Sequence, residues 1–232
     1  MSLALTPAEA QEARRLIARL GELLGPREAA PAPPVAAPAP ERGLRDVDYT
    51  DAASALGCDV AAIRAVYEVE SRGEGFGADG RPIILFEPHV FSRLTKNRFD
   101  ATHGGVSYRT PGAQPYKKTQ AERWDQLLYA AKLDRDAAYQ SASWGAPQIM
   151  GFNFGLCAFS TVHDFVAAMS RSDRDQLLAF VQFVVSSGLA DELRELRWAA
   201  FAERYNGPAY ARNGYHTKLA SAYARWKARL AA

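Results

Sequence analysis

The chain of 232 residues is 48% hydrophobic and 23% charged, which is typical of a globular protein and excludes a wholly disordered or collagen-like chain. No stretch approaches the roughly 20 apolar residues of a membrane-spanning helix, so we expect no integral membrane segment. The net charge of +2 is too balanced to indicate a nucleic-acid partner, and two cysteines cannot form a disulfide framework.

The N-terminal part of the sequence is set apart from the rest. Residues 7–24 carry an apolar stripe at helical spacing, and residues 26–42 are rich in proline and alanine, which favours an extended, semi-rigid linker. We therefore expect a helix of unknown role over residues 1–25, a linker over 26–42 and one domain over 43–232.

The domain is predicted to be mostly α with a small β-hairpin. Asp59 is the predicted N-cap of a helix that Gly73 ends, and residues 82–91 provide the only good strand material, expected as a short hairpin or ribbon broken at Pro88. A loop is predicted over residues 92–118. Further helices are predicted near 120–133, 134–141, 161–170, 173–187, 190–205 and 208–229.

Several common site motifs are excluded by their context. Residues 75–80 match the letters GxGxxG, but the predicted order is helix, glycines, strand, whereas a dinucleotide site needs a strand before its glycines. The four histidines are scattered, and none lies four residues from another. We expect neither a metal site nor a cofactor.

The end of the first long helix carries a pair of carboxylates. Glu68 and Glu70 are two residues apart, about 200° around a helix, so they cannot share a face. Glu70 lies on the apolar stripe of the helix, and both apolar neighbours and the negative end of the helix dipole would raise its pKa, as a general acid requires. The alternative is a solvated residue at the helix end, paired with Arg72.

Two later segments could line the same cleft. Residues 141–153 combine small residues with Trp144, Gln148 and Asn153, which would suit the hydroxyls and apolar faces of sugars; the alternative is a tight crossing with a core Trp. Tyr205 and Asn206 precede Gly-Pro, which is either ordinary turn chemistry or a hydroxyl and an amide directed into the cleft.

Taken in this order, the segments resemble the lysozyme-like superfamily of lytic transglycosylases and goose-type lysozymes. Over residues 45–230 the chain is more closely similar to the N-acetylmuramidase family of phage endolysins and prophages. That resemblance is carried by Val69-Glu70-Ser71-x-Gly73-x-Gly75-Phe76, Ile84-Leu85-Phe86-Glu87-x-His89-x-Phe91, Ser143-Trp144-Gly145, Gln148-Ile149-Met150-Gly151-Phe152-Asn153 and Tyr205-Asn206-Gly207-Pro208. Pro147 departs from the superfamily, which usually has a small or apolar residue there.

The resemblance implies a lysozyme-like fold and cleavage of the β-1,4 bond between N-acetylmuramic acid and N-acetylglucosamine, with Glu70 as proton donor. Because residues 1–10 do not read as a secretory signal, we also expect the protein, a monomer, to be made in the cytoplasm. The resemblance implies that it acts on peptidoglycan glycan strands of the cell wall after release. The substrate-binding residues implied are Ser71, Ser143, Trp144, Gln148, Asn153, Tyr205 and Asn206.

Hydrolysis with two carboxylates needs a second acid, and Glu87 is the candidate. The alternative is that Glu87 forms a structural salt bridge with Arg64, Arg81 or Arg93. In that case a lytic transglycosylase becomes more plausible, since it needs one carboxyl and releases 1,6-anhydro products.

Two readings outside catalysis remain. The first is a catalytically silent wall-binding domain on the same fold. The second is a DNA-binding helix-turn-helix at residues 59–72, which is disfavoured because that stretch holds two basic residues against three acids.

Overall fold

The structure, a computed structural model, describes residues 42–71, 74–207 and 210–232. The predicted N-terminal helix and the Pro/Ala linker up to residue 41 lie outside the described residues. The described chain forms two compact units. Unit 1 contains the residues up to Val69 and those from Phe180 onward, and unit 2 contains Glu70–Ala179.

Unit 1 is helical. The chain begins with α1 (Asp46–Leu56), which ends at a left-handed Gly57, and α2 (Val60–Ser71), whose last two residues belong to unit 2. Asp59 accepts a hydrogen bond from the Ala61 N–H, as the sequence predicts for an N-cap. The buried core includes Leu56, Ile63, Val66, Val184, Leu193, Phe201 and Leu219.

Unit 2 is built around a three-stranded antiparallel sheet in the order β1–β2–β3. The strands are β1 (Ile84–Phe86), β2 (Ala142–Trp144) and β3 (Ile149–Met150), with Phe86 opposite Ala142 and Ser143 opposite Met150. A 3₁₀ turn over Gly151–Asn153 follows β3. The remaining helices of the unit are α3 (Pro88–Leu94), α4 (Gln120–Leu133), α5 (Arg135–Gln140) and α6 (Val162–Met169).

Helix α4 holds the edge of β1. Its start is fixed by a capping box in which the Thr119 hydroxyl accepts from the Glu122 N–H while the Glu122 carboxylate accepts from the Thr119 N–H. The Gln120 side-chain amide then accepts from the Ile84 N–H and donates to the Ile84 carbonyl. This side chain completes the free edge of β1 as a neighbouring strand would.

Helix α7 (Asp173–Ser186) runs from unit 2 into unit 1, and the chain then forms α8 (Ala190–Arg194), α9 (Trp198–Asn206) and α10 (Tyr215–Leu230). The predicted helices near 120–133, 134–141, 161–170 and 173–187 are confirmed. The helix predicted over 190–205 is split into two, because Leu196 adopts a left-handed φ of 56° that a helix cannot accommodate.

The mostly helical class with a small β-hairpin is confirmed, but the hairpin is not where the sequence predicts it. Residues 82–91 do not pair with each other: β1 ends at Phe86, and Pro88 occupies the first turn of α3, where its missing N–H is tolerated. The partner of β1 is β2, and the tight hairpin is β2–β3. The last predicted helix begins at Tyr215 rather than near 208.

Candidate active site

Glu70 lies in the last turn of α2 and is partly buried. Its neighbour Glu68 accepts hydrogen bonds from the Arg225 guanidinium and the Trp226 indole on α10. Because two residues correspond to about 200° of helix, Glu70 projects from the opposite side of α2. Ser71 is the last residue of the same helix. The sequence predicts that Glu68 and Glu70 lie on different faces of the helix, and the contacts of Glu68 with α10 agree with that prediction.

Glu87 follows the end of β1 and occupies the N-cap position of α3, without a capping bond from its own side chain. Its side chain is 16% exposed. The Tyr116 hydroxyl lies 3.0 Å from both carboxylate oxygens, and the His89 Nδ1 lies 3.2 Å from one of them. The backbone N–H of Glu87 donates to the Ser141 carbonyl, which ties this corner of the site to the residue before β2.

The electrostatics around Glu87 come from burial and from hydroxyl groups. Burial raises the pKa of Glu87, and the hydrogen bond from Tyr116 acts in the opposite direction. Burial, together with the charge and the hydrogen bond of Glu87, raises the pKa of Tyr116 to about 12. Burial and the nearby Glu87 also raise the pKa of Tyr108.

His89 is not a cationic partner of Glu87. Burial, with a smaller effect of Arg93, lowers the pKa of His89, so its imidazole is neutral at neutral pH. The arginines that the sequence offered as salt-bridge partners make other contacts. Arg64 pairs with Asp46, Arg81 pairs with Asp79, and Arg93 lies over the Phe152 ring.

Ser143 and Gln148 are brought together by the β2–β3 hairpin. The Ser143 hydroxyl donates to the Gln148 side-chain oxygen at 2.9 Å, and the Gln148 amide nitrogen donates to the Gly145 carbonyl at 2.8 Å. Gln148 has a left-handed φ of 49°, so these bonds hold a strained turn. Both side chains are therefore engaged in fixing the hairpin that lies beside β1.

The buried side-chain amide of Gln176 forms a hydrogen bond to the backbone of the same turn. Gln176 of α7 has no exposed surface; its side chain accepts from the Ala146 N–H at 2.7 Å and donates to the carbonyls of Met169 and Gly75. A Cβ atom at Gly145 would lie 2.4 Å from its amide carbon. Glycine is therefore required for this close approach, and Gln176 links the hairpin to the glycine-rich segment that follows Glu70.

Trp144 and Asn153 have different surroundings. Trp144 has no exposed surface, its ring N–H donates to the Tyr139 carbonyl, and its ring packs edge-on against Trp124. A side chain without exposed surface cannot touch a sugar, so the structure favours the core Trp that the sequence left as the alternative. Asn153 ends the 3₁₀ turn and is partly exposed, beside the exposed Phe152.

Tyr205 and Asn206 belong to unit 1 and form the last turn of α9. The Tyr205 ring stacks on Phe201 with centroids 5.3 Å apart and meets Phe180 and Phe183 edge-on. Both residues are partly buried. The aromatic packing explains the fixed orientation of Tyr205.

Sequence reasoning did not find Tyr116, Tyr108 or Gln176. Tyr116 lies 29 positions after Glu87 in a segment that reads only as loop, and Gln176 lies inside an ordinary helical pattern. No spacing rule connects either residue to the site.

Within the described ranges, no group of three or more His, Cys, Asp or Glu side chains is arranged to hold a metal ion. Among those same residues, every helix is too short or too polar to span a bilayer.

Comparison with known proteins identifies the class of this helical domain, in which a partly buried carboxylate follows the end of a small antiparallel sheet. The N-acetylmuramidase family profile matches residues 59–227. The crystal structure of the Burkholderia AP3 phage endolysin is 42% identical in sequence and superposes with a TM-score of 0.74, covering 82% of this chain and 72% of that chain. No match was found among curated proteins.

The chain belongs to the N-acetylmuramidase family. The family and the endolysin-like fold support a peptidoglycan-hydrolysing enzyme, and its substrate is peptidoglycan.

Proposed function

We propose that this muramidase hydrolyses the β-1,4 bond between N-acetylmuramic acid and N-acetylglucosamine, with Glu70 as general acid and Glu87 as the second carboxylate. The family match over residues 59–227 carries the proposal, because it spans both glutamates. We further propose that the enzyme acts as a monomer on the cell wall after release from the cytoplasm of the producing cell.

In this reaction Glu70 gives its proton to the bridging oxygen as the bond from that oxygen to the anomeric carbon breaks. The position of Glu70 supports the role, because its side chain is partly buried in the last turn of α2, at the helix end where the sequence predicts the proton donor. Water supplies the oxygen that becomes attached to the anomeric carbon. A carboxylate across the sugar either takes the proton of that water or first attacks the carbon itself.

Glu87 fits the role of this second carboxylate better than it fits a structural salt bridge. Its partners are a tyrosine hydroxyl and a neutral imidazole, so within the described part of the chain no cation pairs with it. An unneutralised carboxylate in a partly buried position is available to act on water or on an electron-poor carbon. Hydrolysis is therefore favoured over transglycosylation.

The surroundings of each predicted substrate-binding residue indicate the role we propose for it. Ser143 and Gln148 fix the hairpin beside Glu87, and Trp144 supports it from the core. We propose that Asn153, Tyr205 and Asn206 contact the glycan through their polar groups, and that Ser71 does so from the end of α2.

The decisive variant is Glu70→Gln, which keeps the shape of the side chain and removes its proton. Loss of a general acid lowers the rate by about 10²–10⁴-fold, so lysis of permeabilised cells is expected to stop while the circular dichroism spectrum and melting temperature stay unchanged. Glu68→Gln is the matched control on the same helix, and it is expected to keep cleavage. Full activity of Glu70→Gln would refute the assignment.

The reaction type is read from the products. Mass spectrometry of muropeptides released from purified sacculi is expected to show reducing-end products of hydrolysis. Products lighter by one water would instead identify the 1,6-anhydro route of a lytic transglycosylase. Binding to sacculi without any released product would identify a wall-binding domain.

A further inference from the structure

Tyr116 stands out on the segment between α3 and α4. Residues 109–119 are all exposed, and the Tyr116 side chain is itself 46% exposed. Its hydroxyl is nevertheless turned toward Glu87, 3.0 Å from each carboxylate oxygen. An exposed tyrosine has no need of such a partner, since water would satisfy its hydroxyl.

The segment has other anchors, so this bond is not required merely to hold the loop. The Gln114 side chain donates to the Gly104 carbonyl, and the Arg123 guanidinium donates to the Lys117 carbonyl. These bonds fix the chain on both sides of Tyr116. The hydroxyl is thus brought to the carboxylate by a backbone that is already held in place.

The groups facing Glu87 make Tyr116 its principal donor. From α3 comes His89, which is neutral at neutral pH, and from the loop come Tyr108 and Tyr116. Of these, Tyr116 is the one whose hydroxyl meets both oxygens. Since a hydroxyl has one proton, that proton is shared between the oxygens or alternates between them, and either arrangement fixes the plane of the carboxylate.

We propose that Tyr116 is a positioning residue of this muramidase, which orients the Glu87 carboxylate and keeps it ionised for its part in glycan cleavage. This inference rests on the proposed function, in which Glu87 is the second carboxylate. Burial drives Glu87 toward its neutral form, and a neutral acid can neither accept a proton from water nor attack an anomeric carbon. A hydrogen bond donated to the charged form opposes that tendency.

The test is Tyr116→Phe in the full chain, which removes only the hydroxyl. Without this donor the pKa of Glu87 rises, so the acidic limb of the kcat/KM profile is expected to move to higher pH by about 0.5–1 unit. Tyr129→Phe is the matched control. Tyr129 is 49% exposed, lies on α4 with its ring against His103, and is expected to leave the profile unchanged.

A second measurement does not depend on activity. The ¹³C carboxyl resonance of Glu87, identified by its absence in Glu87→Gln, is titrated by NMR in the wild-type protein and in Tyr116→Phe. The midpoint is expected to rise in the variant by the same amount as the kinetic limb. A lower melting temperature with an unmoved kinetic limb and midpoint would show a purely structural anchor and overturn the inference, as would a variant identical to wild type.

Failure of this inference is distinguishable from failure of the proposed function. If Glu70→Gln is inactive and Tyr116→Phe keeps the wild-type pH profile, the muramidase assignment stands and the role of Tyr116 is wrong. If Glu70→Gln is fully active, the assignment of the general acid fails first, whatever Tyr116→Phe does.

Discussion

The carboxylates of unit 1 and the carboxylate at the end of β1 have opposite surroundings. Asp59 accepts from the Lys227 ammonium, the Tyr223 hydroxyl and the Ala61 N–H, and Glu68 accepts from an arginine and a tryptophan of α10. Glu87 has a tyrosine hydroxyl and a neutral histidine instead. The first two carboxylates are neutralised by cations, whereas Glu87 is not.

The consequence appears in the direction of the pKa shifts. Burial acts to raise the pKa of Asp59, but hydrogen bonds from Lys227, Ala61 and Tyr223 outweigh it and the pKa is lowered. At Glu87 burial outweighs the single hydroxyl donor, and the pKa is raised. Cation-paired carboxylates hold helices together, while a partly buried carboxylate with a raised pKa and no cation beside it is a candidate functional group.

The largest expected difference between the cation-paired carboxylates of unit 1 and Glu87 is in the loss of activity when the charge is removed. Glu87→Gln keeps the shape of the side chain and removes its charge, so we expect glycan cleavage to fall by about 10²–10³-fold. The rate of muropeptide release from purified sacculi measures it, with melting temperature as the control for folding. A fully active Glu87→Gln would show that Glu87 is a structural carboxylate like Asp59 and Glu68, and the functional difference drawn between them would be wrong.

The next effect concerns the hairpin beside Glu87. Gly145→Ala places a methyl group against the fully buried Gln176 amide and forces alanine to a φ of +65°, so the free energy of unfolding is expected to fall by about 2–4 kcal/mol. Gly112→Ala is the matched control. Its φ is +71°, but no atom lies within 4 Å of the added Cβ, so only the conformational cost of about 1 kcal/mol is expected.

Both variants are compared by denaturant unfolding under the same conditions. Equal losses of stability would mean that the Gln176 amide gives way to the methyl group. The expectation that the Gln176 amide holds the β2–β3 turn rigidly and requires glycine at position 145 would then be wrong.

The smallest expected effect concerns the ion pair of Asp59 with Lys227 in unit 1. Asp59→Asn keeps an oxygen for the Ala61 N–H and removes the charge facing Lys227, so the free energy of unfolding at pH 7 is expected to fall by about 0.5–1 kcal/mol, the range of a screened surface pair. Glycan cleavage is expected to stay unchanged.

The pH dependence of that loss has a definite sign. The pKa of Asp59 is lower in the folded protein than its usual value of 3.8, so its stabilising contribution is complete above about pH 4 and disappears as pH falls through the folded pKa. Denaturant curves at pH 7 and at about pH 3 measure the difference between wild type and Asp59→Asn. A difference that grows on acidification would contradict the role given to the Lys227 pair.

Much of the fold follows from local patterns. Thr119 and Glu122 form the capping box that starts α4, which begins and ends as predicted, and Asp59 caps α2. By contrast, the partner of β1 lies nearly sixty residues further along the chain, and a single left-handed residue, Leu196, divides a helix whose hydrophobic pattern is continuous. Neither event leaves a periodic signal in the sequence.

The sequence by itself determined most of the helices, the N-cap of α2, the position of Glu70 at a helix end and the order of motifs that indicates the family. These features depend on hydrogen bonds and side-chain spacing within a few residues. Only the tertiary structure decided that Trp144 is core, that Ser143 and Gln148 fix a turn, and that Tyr116 meets Glu87. Burial and charge pairing depend on which distant segments packing brings together, and that is why local sequence patterns could not distinguish the cation-paired Asp59 and Glu68 from Glu87.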